Sequence, residues 1–353
     1  MRVGLQMVFQ NYGRRVPDAD VVKAELRLAE LAEDLGFDEL WPVEHHFTDY
    51  AACPDNTQLL SYLAGRTRTI RLGTGAVILP WNDPLRVVEK IVLLDHLCDG
   101  RTVFGMGRGL ARREYAGFGI DMEESRDRFD EASAMILAAL ESGVIEGAGR
   151  YYPQAPTEIR PAPLATFEGR AHSVAMSPDS VVQAAKLGVG MVLFSNKRDE
   201  ACAADIESYR TTFAEHHDGK PPAPRFCDFS VCHADADRGA ALAEQYIGAY
   251  FGAVMHHYEL GGEHFRESKA YRSYGEQQAA MAAMGVDGAM KNYVSVQAAG
   301  TPAQIVERLE RRRDVVGDFD LNICTLFGGI DPEQSEAGMR LFAAEVLPEL
   351  HAW

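Results

Sequence analysis

The chain has 353 residues, and its 35 Lys and Arg against 52 Asp and Glu give a formal net charge of −17. A surface this acidic repels phosphate backbones and anionic lipid headgroups, so we expect neither nucleic acid nor a membrane surface as a partner. Hydrophobic residues make up 46% of the chain and charged residues 25%, a balance that is typical of a globular protein and argues against disorder.

The cysteines form no CxxC pair and show no zinc-finger spacing; they are Cys53, Cys98, Cys202, Cys227, Cys232 and Cys324. In a chain of this length such cysteines indicate free thiols in a reducing compartment. Residues 1–10 lack the charged and apolar regions of a signal peptide, and no uncharged apolar stretch reaches the roughly 18–20 residues that span a bilayer. We therefore expect a cytoplasmic protein.

Apolar runs and amphipathic segments alternate from the start of the chain. Residues 3–9 predict a first strand and residues 37–43 a second. A helix should lie between them, because apolar residues recur there at spacings of three and four: Val21, Ala24, Leu28, Leu31 and Leu35. Residues 59–64 predict a second helix. Residues 70–80 (IRLGTGAVILP) are nearly all apolar, which predicts one strand buried on both faces.

The same alternation continues to the end of the chain. A helix at 84–97, a strand at 102–106 and a long helix at 126–142 are followed by a Gly- and Pro-rich segment at 147–163. Thr301 caps a late helix with Pro302 at its first position, and Asp331 before Pro332 begins the last one. Four further strands are predicted, at 171–176, 189–194, 226–233 and 321–326.

About eight β–α units without a linker predict a parallel sheet covered by helices, and the economical arrangement is a closed (β/α)8 TIM barrel. An open doubly wound sheet would need a glycine-rich turn after its first strand, and residues 5–13 (LQMVFQNYG) contain no GxGxxG. The long polar segment 256–293, rich in aromatic residues, predicts a lid inserted late in the barrel. We expect one domain over residues 1–353.

Glu44, His45 and His46 directly follow the second predicted strand, where barrel active sites lie. Such a cluster could hold a metal ion. However, adjacent residues at a strand end point to opposite sides, and the sequence shows no second His/Asp cluster with ligand spacing, so we expect no metal. A single histidine in the pocket would instead transfer protons, because its unperturbed pKa of about 6.5 lies near neutrality.

Two further strand ends carry groups that suit a phosphate. Arg108 lies in the glycine-rich run 105–109, and Ser177 and Ser180 begin a helix after the fifth strand. Helix capping or a surface ion pair explains each signal alone, but an arginine and a helix N-terminus at one barrel mouth predict a phosphate site. A cofactor with one phosphate, such as FMN, fits these groups and a histidine in a deep apolar mouth.

Motifs spread over essentially the whole chain resemble the bacterial luciferase family of flavin-dependent monooxygenases, most closely its α subunits. EHHF with a downstream FGxxRGL is specific, whereas GTP before a helix is a weak signal. The matching stretches are GFD at 36–38, EHHFTDY at 44–50, TGAVILP at 74–80, LLDHLCDGR at 93–101, FGMGRGL at 104–110, FGIDM at 118–122, VAMSPDS at 174–180 and GTPAQ at 300–304.

The resemblance implies a TIM barrel in which reduced FMN reacts with O2, and the flavin C4a-hydroperoxide formed oxygenates a small organic substrate. In the family's pattern, His45 corresponds to the pocket histidine that supports these intermediates and moves protons. Arg108 corresponds to the phosphate-binding arginine, and Ser177 and Ser180 to the two hydroxyl residues at the phosphate.

The resemblance also places a non-proline cis peptide beneath the flavin ring, at Gly75 and Ala76. Leu110 and Ala175 match residues that line the flavin. Met176 replaces a glutamate that contacts the phosphate in luciferase, so only its backbone could contribute there.

Other departures from the luciferase pattern lie on the substrate side. Gly107 replaces the reactive cysteine, Glu114 stands where the pattern has an aspartate, and Ser195 aligns near a pocket tryptophan. These differences spare the flavin site and weigh against aldehyde specificity and light emission. The sequence therefore predicts a luciferase-like monooxygenase rather than a luciferase.

Because the chain has no NAD fingerprint, we expect a separate NAD(P)H:flavin reductase to supply the reduced FMN. Two alternatives stay open: an F420-dependent oxidoreductase of the same superfamily, which transfers hydride without O2, and a non-catalytic partner subunit. The EHHF and FGxxRGL motifs favour FMN, and His45, Arg108 and the complete lid argue against a non-catalytic subunit. The resemblance also implies a homodimer through helices at 59–64 and 87–97, with His46 near the interface.

The lid side chains Tyr258, Phe265, Tyr271 and Met281 are consistent with an apolar, aromatic or cyclic substrate. They are equally consistent with simple packing of the lid onto the barrel. Baeyer–Villiger oxygenation, epoxidation and hydroxylation all stay open at this point.

Overall fold

The computed structural model describes the backbone of residues 1–260, 262, 264–268 and 270–353, and their side chains except those of 266, 267 and 276–282. The side chain of Met281 therefore lies outside the described residues. The strands are β1 (Val3–Met7), β2 (Glu39–Pro42), β3 (Arg71–Gly73), β4 (Val77–Ile78), β5 (Thr102–Gly107), β6 (Val144–Gly147), β7 (Gln154–Glu158), β8 (Ala171–Val174), β9 (Gly190–Phe194), β10 (Arg225–Phe229) and β11 (Asp320–Cys324).

Helices follow or connect these strands. They are α1 (Asp18–Asp34), α2 (Asn56–Ala64), α3 (Pro84–Leu97), α4 (Arg112–Gly117), α5 (Ser125–Ser142), α6 (Pro178–Lys186), α7 (Asp199–His216), α8 (Ala236–His257), α9 (His264–Glu267), α10 (Arg272–Ser295), α11 (Pro302–Val316), α12 (Pro332–Glu345) and α13 (Leu347–His351). None of the described helices combines the length and the continuous apolar character that crossing a membrane requires.

The predicted TIM barrel is confirmed. Parallel strands run in the order β3, β2, β1, β11, β10, β9, β8, β5, and the pairing of β3 with β5 closes the circle. β4 continues the β3 side and pairs with the upper part of β5, so that the described strands form eight sides. The short antiparallel hairpin of β6 and β7 lies outside the barrel, in the Gly- and Pro-rich region.

The single strand predicted for residues 70–80 is wrong in one respect, because the structure interrupts it between β3 and β4. The Thr74 hydroxyl donates to the carbonyl of Gly105 (2.7 Å) and accepts from its N–H (2.8 Å), which replaces ladder pairing there. The peptide bond between Gly75 and Ala76 is cis, as the resemblance implied. Residues Leu79–Trp81 form a 3-10 turn rather than strand. The uniformly apolar sequence indicated that this segment is buried, but it did not indicate where the strand is interrupted.

A large indole occupies the centre of the barrel interior. Trp41 on β2 is buried, His172 meets its ring edge-on at 5.7 Å, and glycines on neighbouring strands lie directly against the ring. A Cβ on Gly73 would lie 2.5 Å from the indole, and one on Gly105 would lie 3.0 Å from it and 2.0 Å from the Thr74 carbonyl oxygen. These glycines are therefore required for space rather than for backbone conformation.

Below this indole, at the amino ends of the strands, lies a buried ion cluster. The guanidinium of Arg225 forms an ion pair with Glu39 Oε2 (2.8 Å) and donates to Asp320 Oδ2 (3.1 Å) and Asn322 Oδ1 (2.9 Å). Its Cζ lies 4.9 Å from the centroid of the Trp41 ring. The cluster joins β2, β10 and β11 and forms the floor of the barrel.

The predicted lid is part of a longer helical insertion between β10 and α11. Helices α8 and α10 pack against each other in this insertion, and α8 already begins at Ala236. The segment 256–293 therefore comprises the end of α8, the connection and most of α10. Helix α10 is kinked at Gly285, whose φ is +72°.

Helix α1 forms where the spacing predicts it, but its buried face is rotated. The buried residues are Val21, Glu25, Leu28, Ala29 and Ala32. Glu25 thus enters the core, where its Oε1 accepts a hydrogen bond from the Phe9 N–H at 2.7 Å. Burial raises the pKa of Glu25 from 4.5 to about 8, although the hydrogen bonds from the backbone of Phe9 and Val8 oppose the shift.

This carboxyl predicts a pH-dependent stability. Between pH 4.5 and about 8, Glu25 ionises in the unfolded chain but stays protonated in the folded one, so stability decreases as the pH rises through this window. In Glu25→Gln we expect this slope, about 1.4 kcal/mol per pH unit, to disappear. Urea unfolding at pH 5, 6, 7 and 8 measures it, with Glu30→Gln on the exposed face of α1 as the control. Parallel stability curves for wild type and Glu25→Gln would contradict the assignment.

Candidate active site

The parallel strands bring the predicted site residues to one end of the barrel. His45 follows β2, Gly75 and Ala76 separate β3 from β4, and Arg108 follows β5. Ser177 follows β8 and caps helix α6. The helical insertion contacts the same end, because Tyr258 at the end of α8 reaches His45.

His45 is held by two hydrogen-bond partners. Its Nδ1 lies 3.0 Å from Glu114 Oε1, and its Nε2 lies 3.3 Å from the hydroxyl of Tyr258. Burial raises the pKa of Tyr258 well above its usual value, so this hydroxyl keeps its proton and can donate. A carboxylate only accepts, so Nδ1 donates in the contact with Glu114, and in the neutral imidazole Nε2 then accepts from Tyr258. The two partners therefore fix the tautomer of the imidazole.

Glu114 and His257 extend this cluster. Glu114 Oε1 also accepts from the His46 N–H (2.7 Å), and His257 Nε2 lies 3.8 Å from the same oxygen. His257 stacks on Tyr50, with ring centroids 4.2 Å apart, and burial together with the nearby His45 lowers its pKa to about 2. No local pattern in the sequence marks His257, because it joins the site only through the folding of α8.

His46 faces away from His45, as expected for neighbours at a strand end. Its Nε2 lies 3.2 Å from Glu44 Oε1, and its ring meets Phe118 edge-on at 4.7 Å. Glu44 also accepts from Trp81 Nε1 at 2.8 Å. These contacts place His46 in a side cluster of aromatic rings rather than beside Tyr258.

The predicted phosphate residues already make contacts within the protein. Ser177 and Ser180 form a reciprocal capping box: the Ser177 N–H donates to Ser180 Oγ (3.1 Å), and the Ser180 N–H donates to Ser177 Oγ (3.4 Å). Arg108 donates to the carbonyl of Ala270 (2.6 Å), and its guanidinium lies 4.0 Å from the Tyr271 ring centroid. The insertion thus holds Arg108 from above.

The sequence analysis missed a second arginine beside Arg108. Arg126 lies in the first turn of α5, and burial together with the charge of Arg108 lowers its pKa. Its Nη2 is buried without a hydrogen-bond partner among the described residues, and so is Ser125 Oγ. The nearest carboxylate, Asp130 Oδ1, is 3.7 Å from Nη1. A second positive charge beside Arg108, with a buried donor that the described residues leave unused, favours an anion at this place.

The remaining predicted residues differ in their surroundings. Ala175 is fully buried, whereas Leu110 is half-buried at the mouth. Met176 turns its sulfur back to accept from the Phe194 N–H (3.1 Å), which leaves its backbone for a ligand. Ser195 donates to Asp228 Oδ1 (2.6 Å), the partner of the buried Arg312, so it belongs to an ion cluster.

Two of the predicted lid residues pack the insertion together. Phe265 and Tyr271 are buried, with ring centroids 6.1 Å apart, and the Tyr271 hydroxyl donates to the carbonyl of Gly109 at 2.8 Å. Tyr258 is different, because its hydroxyl reaches the pocket histidine. Tyr258 and its neighbour His257, whose ring lies edge-on 5.1 Å from that of His45, thus join the insertion to the pocket.

The fold and these groups together define a TIM-barrel protein with a histidine–carboxylate pair and two arginines, Arg108 and Arg126, at its mouth. A family model described as "luciferase-like monooxygenase" matches residues 1–318. The chain therefore belongs to the luciferase-like monooxygenase family. It is similar to the alkanal monooxygenase alpha chain of Photorhabdus laumondii, with 25% identity over 341 residues, 94% of this chain and 93% of that protein.

Solved structures share this fold over nearly the full length. Monooxygenase RslO1 from Streptomyces bottropensis superposes with a TM-score of 0.81 at 25% identity, covering 99% of both chains. The oxygenating constituent of 3,6-diketocamphane monooxygenase from Pseudomonas putida, in complex with FMN, gives 0.75 at 18% identity and covers 99% and 98%. A coenzyme F420-dependent tetrahydromethanopterin reductase from Methanopyrus kandleri gives 0.70 at 18%, covering 99% of both.

Proposed function

We propose that the protein is a two-component, FMN-dependent monooxygenase that receives reduced FMN from a separate NAD(P)H:flavin reductase. The observation that carries this proposal is the half-buried Arg126 beside Arg108 at the barrel mouth, since Arg126 Nη2 is a buried donor without a hydrogen-bond partner among the described residues. Bound reduced flavin would supply the two electrons with which one oxygen atom of O2 enters the substrate and the other leaves as water.

The anion site fits a phosphate monoester. Arg126 Nη2 offers a buried donor to which no described residue is hydrogen-bonded, and Arg108 can exchange the neutral carbonyl of Ala270 for a dianion. The amino end of α6 with Ser177 and Ser180 would add backbone N–H groups. Gly75, Ala76, Leu110, Ala175 and the backbone of Met176 would line the ring system between this site and His45.

The chemistry proposed for His45 rests on its fixed proton. With Nδ1–H held by Glu114, the Nε2 atom can take a proton from a reacting group and return it. Tyr258 and Glu114 act as positioning residues, because they orient the imidazole from both sides. Membership of the monooxygenase family supports oxygenation over the F420-dependent alternative. Because the Methanopyrus reductase with the same fold depends on F420, the test below includes that cofactor.

Anaerobic titration followed by exposure to air tests the function. We expect the wild type to bind reduced FMN, and to form an oxygenated product from one member of a panel of ketones, aldehydes and alkenes. In His45→Ala, reduced FMN should still bind while product yield decreases at least about 100-fold, the usual range for a lost acid–base group. An unchanged yield would remove His45 from the reaction.

The same titration separates the alternatives. Tight binding of reduced F420 without reaction in air would replace the proposal with hydride transfer. No binding of either cofactor would indicate a non-catalytic subunit.

Comparison of reduced FMN with reduced riboflavin tests the anion site. In Arg126→Met, we expect FMN binding to weaken by about 1.5–3 kcal/mol, or roughly 10- to 150-fold, because a charge-assisted hydrogen bond to the phosphate is lost. Riboflavin binding should not change. Arg128→Met on the same helix, whose guanidinium pairs with Glu124, is the control. If the variant weakens both flavins equally, Arg126 does not contact the phosphate.

We also propose a homodimer through α2 and α3. These neighbouring helices expose Tyr62, Leu93 and Leu97, and the last two are 50% and 53% exposed. Phe47 and Phe118, which surround His46, are exposed as well. Apolar side chains clustered in this way are typical of a protein interface.

Light scattering should give twice the chain mass of 38.9 kDa for the wild type. Leu93→Asp with Leu97→Asp should give the mass of one chain, because two carboxylates cannot be buried without partners. Val315→Asp, at an exposed position of α11, should remain a dimer. A monomeric wild type, or a double variant that stays dimeric, would exclude this interface.

A further inference from the structure

Three potential metal ligands meet between the barrel mouth and the insertion. His45 comes from the loop after β2, Glu114 from α4 and His257 from the last turn of α8, and one ligand atom of each lies within 4.8 Å of the others. The sequence analysis considered Glu44, His45 and His46 and expected no metal. Folding replaces two members of that cluster with residues that are remote in the chain.

One atom of this cluster is buried and unused. His257 is 1% exposed, and its Nε2 has no hydrogen-bond partner among the described residues, although it points to Glu114 Oε1 at 3.8 Å. Its other nitrogen, Nδ1, is 3.1 Å from Thr48 Oγ1, and the ring stacks on Tyr50. With Nδ1–H donating to Thr48, the Nε2 lone pair faces a carboxylate. A cation between these two acceptors would satisfy both.

The remaining geometry also suits a metal ion. Ligating histidines almost always use their second nitrogen in an outer hydrogen bond, and here His257 has Thr48 and His45 has Tyr258. Zinc–ligand bonds of about 2.0–2.2 Å in a tetrahedron place neighbouring donor atoms roughly 3.3 Å apart. The two distances to Glu114 Oε1, 3.0 Å from His45 and 3.8 Å from His257, lie on either side of that value.

We propose that His45 Nδ1, Glu114 Oε1 and His257 Nε2 bind one divalent transition-metal ion of the zinc class, with the fourth position left for water. Binding at Nδ1 requires the His45 proton to move to Nε2, where it donates to the Tyr258 oxygen, so no proton is lost. The ion would tie α8 to the barrel mouth and occupy the imidazole. Where the proposed function holds, this ion inhibits oxygenation.

Cobalt serves as the probe, because four-coordinate Co2+ absorbs visible light strongly. The full chain without an affinity tag and without flavin is titrated with Co2+, and Zn2+ is then added to displace it. We expect one equivalent of intensely absorbing Co2+ in the wild type. His257→Gln should bind more than about 100-fold more weakly, since loss of an outer partner alone costs 10- to 100-fold. Thr48→Val should fall in that 10- to 100-fold range.

His256→Gln is the matched control, because this exposed histidine is the neighbour of His257 in the same helix. It should bind like the wild type. Failure of the wild type to take up micromolar Co2+, or equal binding by all four proteins, would overturn the proposal. Thr48→Val keeps all three ligands, so it remains informative if His257→Gln unfolds. Because no flavin is present, the outcome does not depend on the proposed monooxygenase activity.

Discussion

The buried guanidinium of Arg225 is the interaction on which the barrel depends. Its three partners, Glu39, Asp320 and Asn322, belong to β2 and β11, so one side chain ties three strands at their amino ends. Burial would raise the pKa of Glu39, but the charges of Arg225, Arg71 and Arg2 outweigh this effect and hold it below its usual value. Removing one partner would leave a buried charge without compensation, at a cost of about 3–5 kcal/mol.

This floor fixes the position of everything above it. Trp41 lies against Arg225 in the centre of the barrel, and a Cβ on Gly73 or Gly105 would collide with its ring. Between β3 and β4, where the strand is interrupted, the Thr74 hydroxyl donates to the carbonyl of Gly105 in place of a backbone group. The carboxyl ends of the strands therefore have defined positions along the barrel axis, and His45, Arg108 and Ser177 follow them at one rim. Packing below the mouth thus sets where these residues leave the barrel, and contacts such as those of His45 with Glu114 and Tyr258 orient the side chains.

The sequence predicted most helices and strands correctly, because the hydrophobic pattern and the capping residues of each lie within a short segment. The helix predicted for residues 84–97 begins and ends at those residues in the structure. Several strands are shorter than their apolar runs, as in β10, which ends at Phe229 although the run continues to His233. Val231 and Cys232 beyond it are buried without being in the sheet, and hydrophobicity reports burial rather than strand pairing. The apolar stripe likewise did not determine which face of α1 is buried, and Glu25 lies in the core.

The site was predictable only where a motif carried it. His45 and Arg108 were found in this way, whereas Glu114 was noted only as a departure, and Arg126 and His257 were missed. In sequence, Arg126 is one of several charged residues at a helix start. It differs from Arg128 in lying near the charge of Arg108, whereas Arg128 pairs with Glu124, and this difference requires the fold. Glu114 and His257 meet across 143 positions, a separation that no local pattern can bridge.

The acidic charge of the chain gives the arginine pair its significance. With a net charge of −17, the long-range field repels an anionic ligand, so affinity must come from donors within hydrogen-bond reach. Arg108 and Arg126 repel each other in the free protein. There Arg108 donates to the Ala270 carbonyl and lies over the Tyr271 ring. An anion that takes Arg108 must release it from these two residues of the insertion. Binding at the phosphate end would therefore loosen one contact of the insertion while Tyr258 keeps another at His45, which couples the two ends of the site.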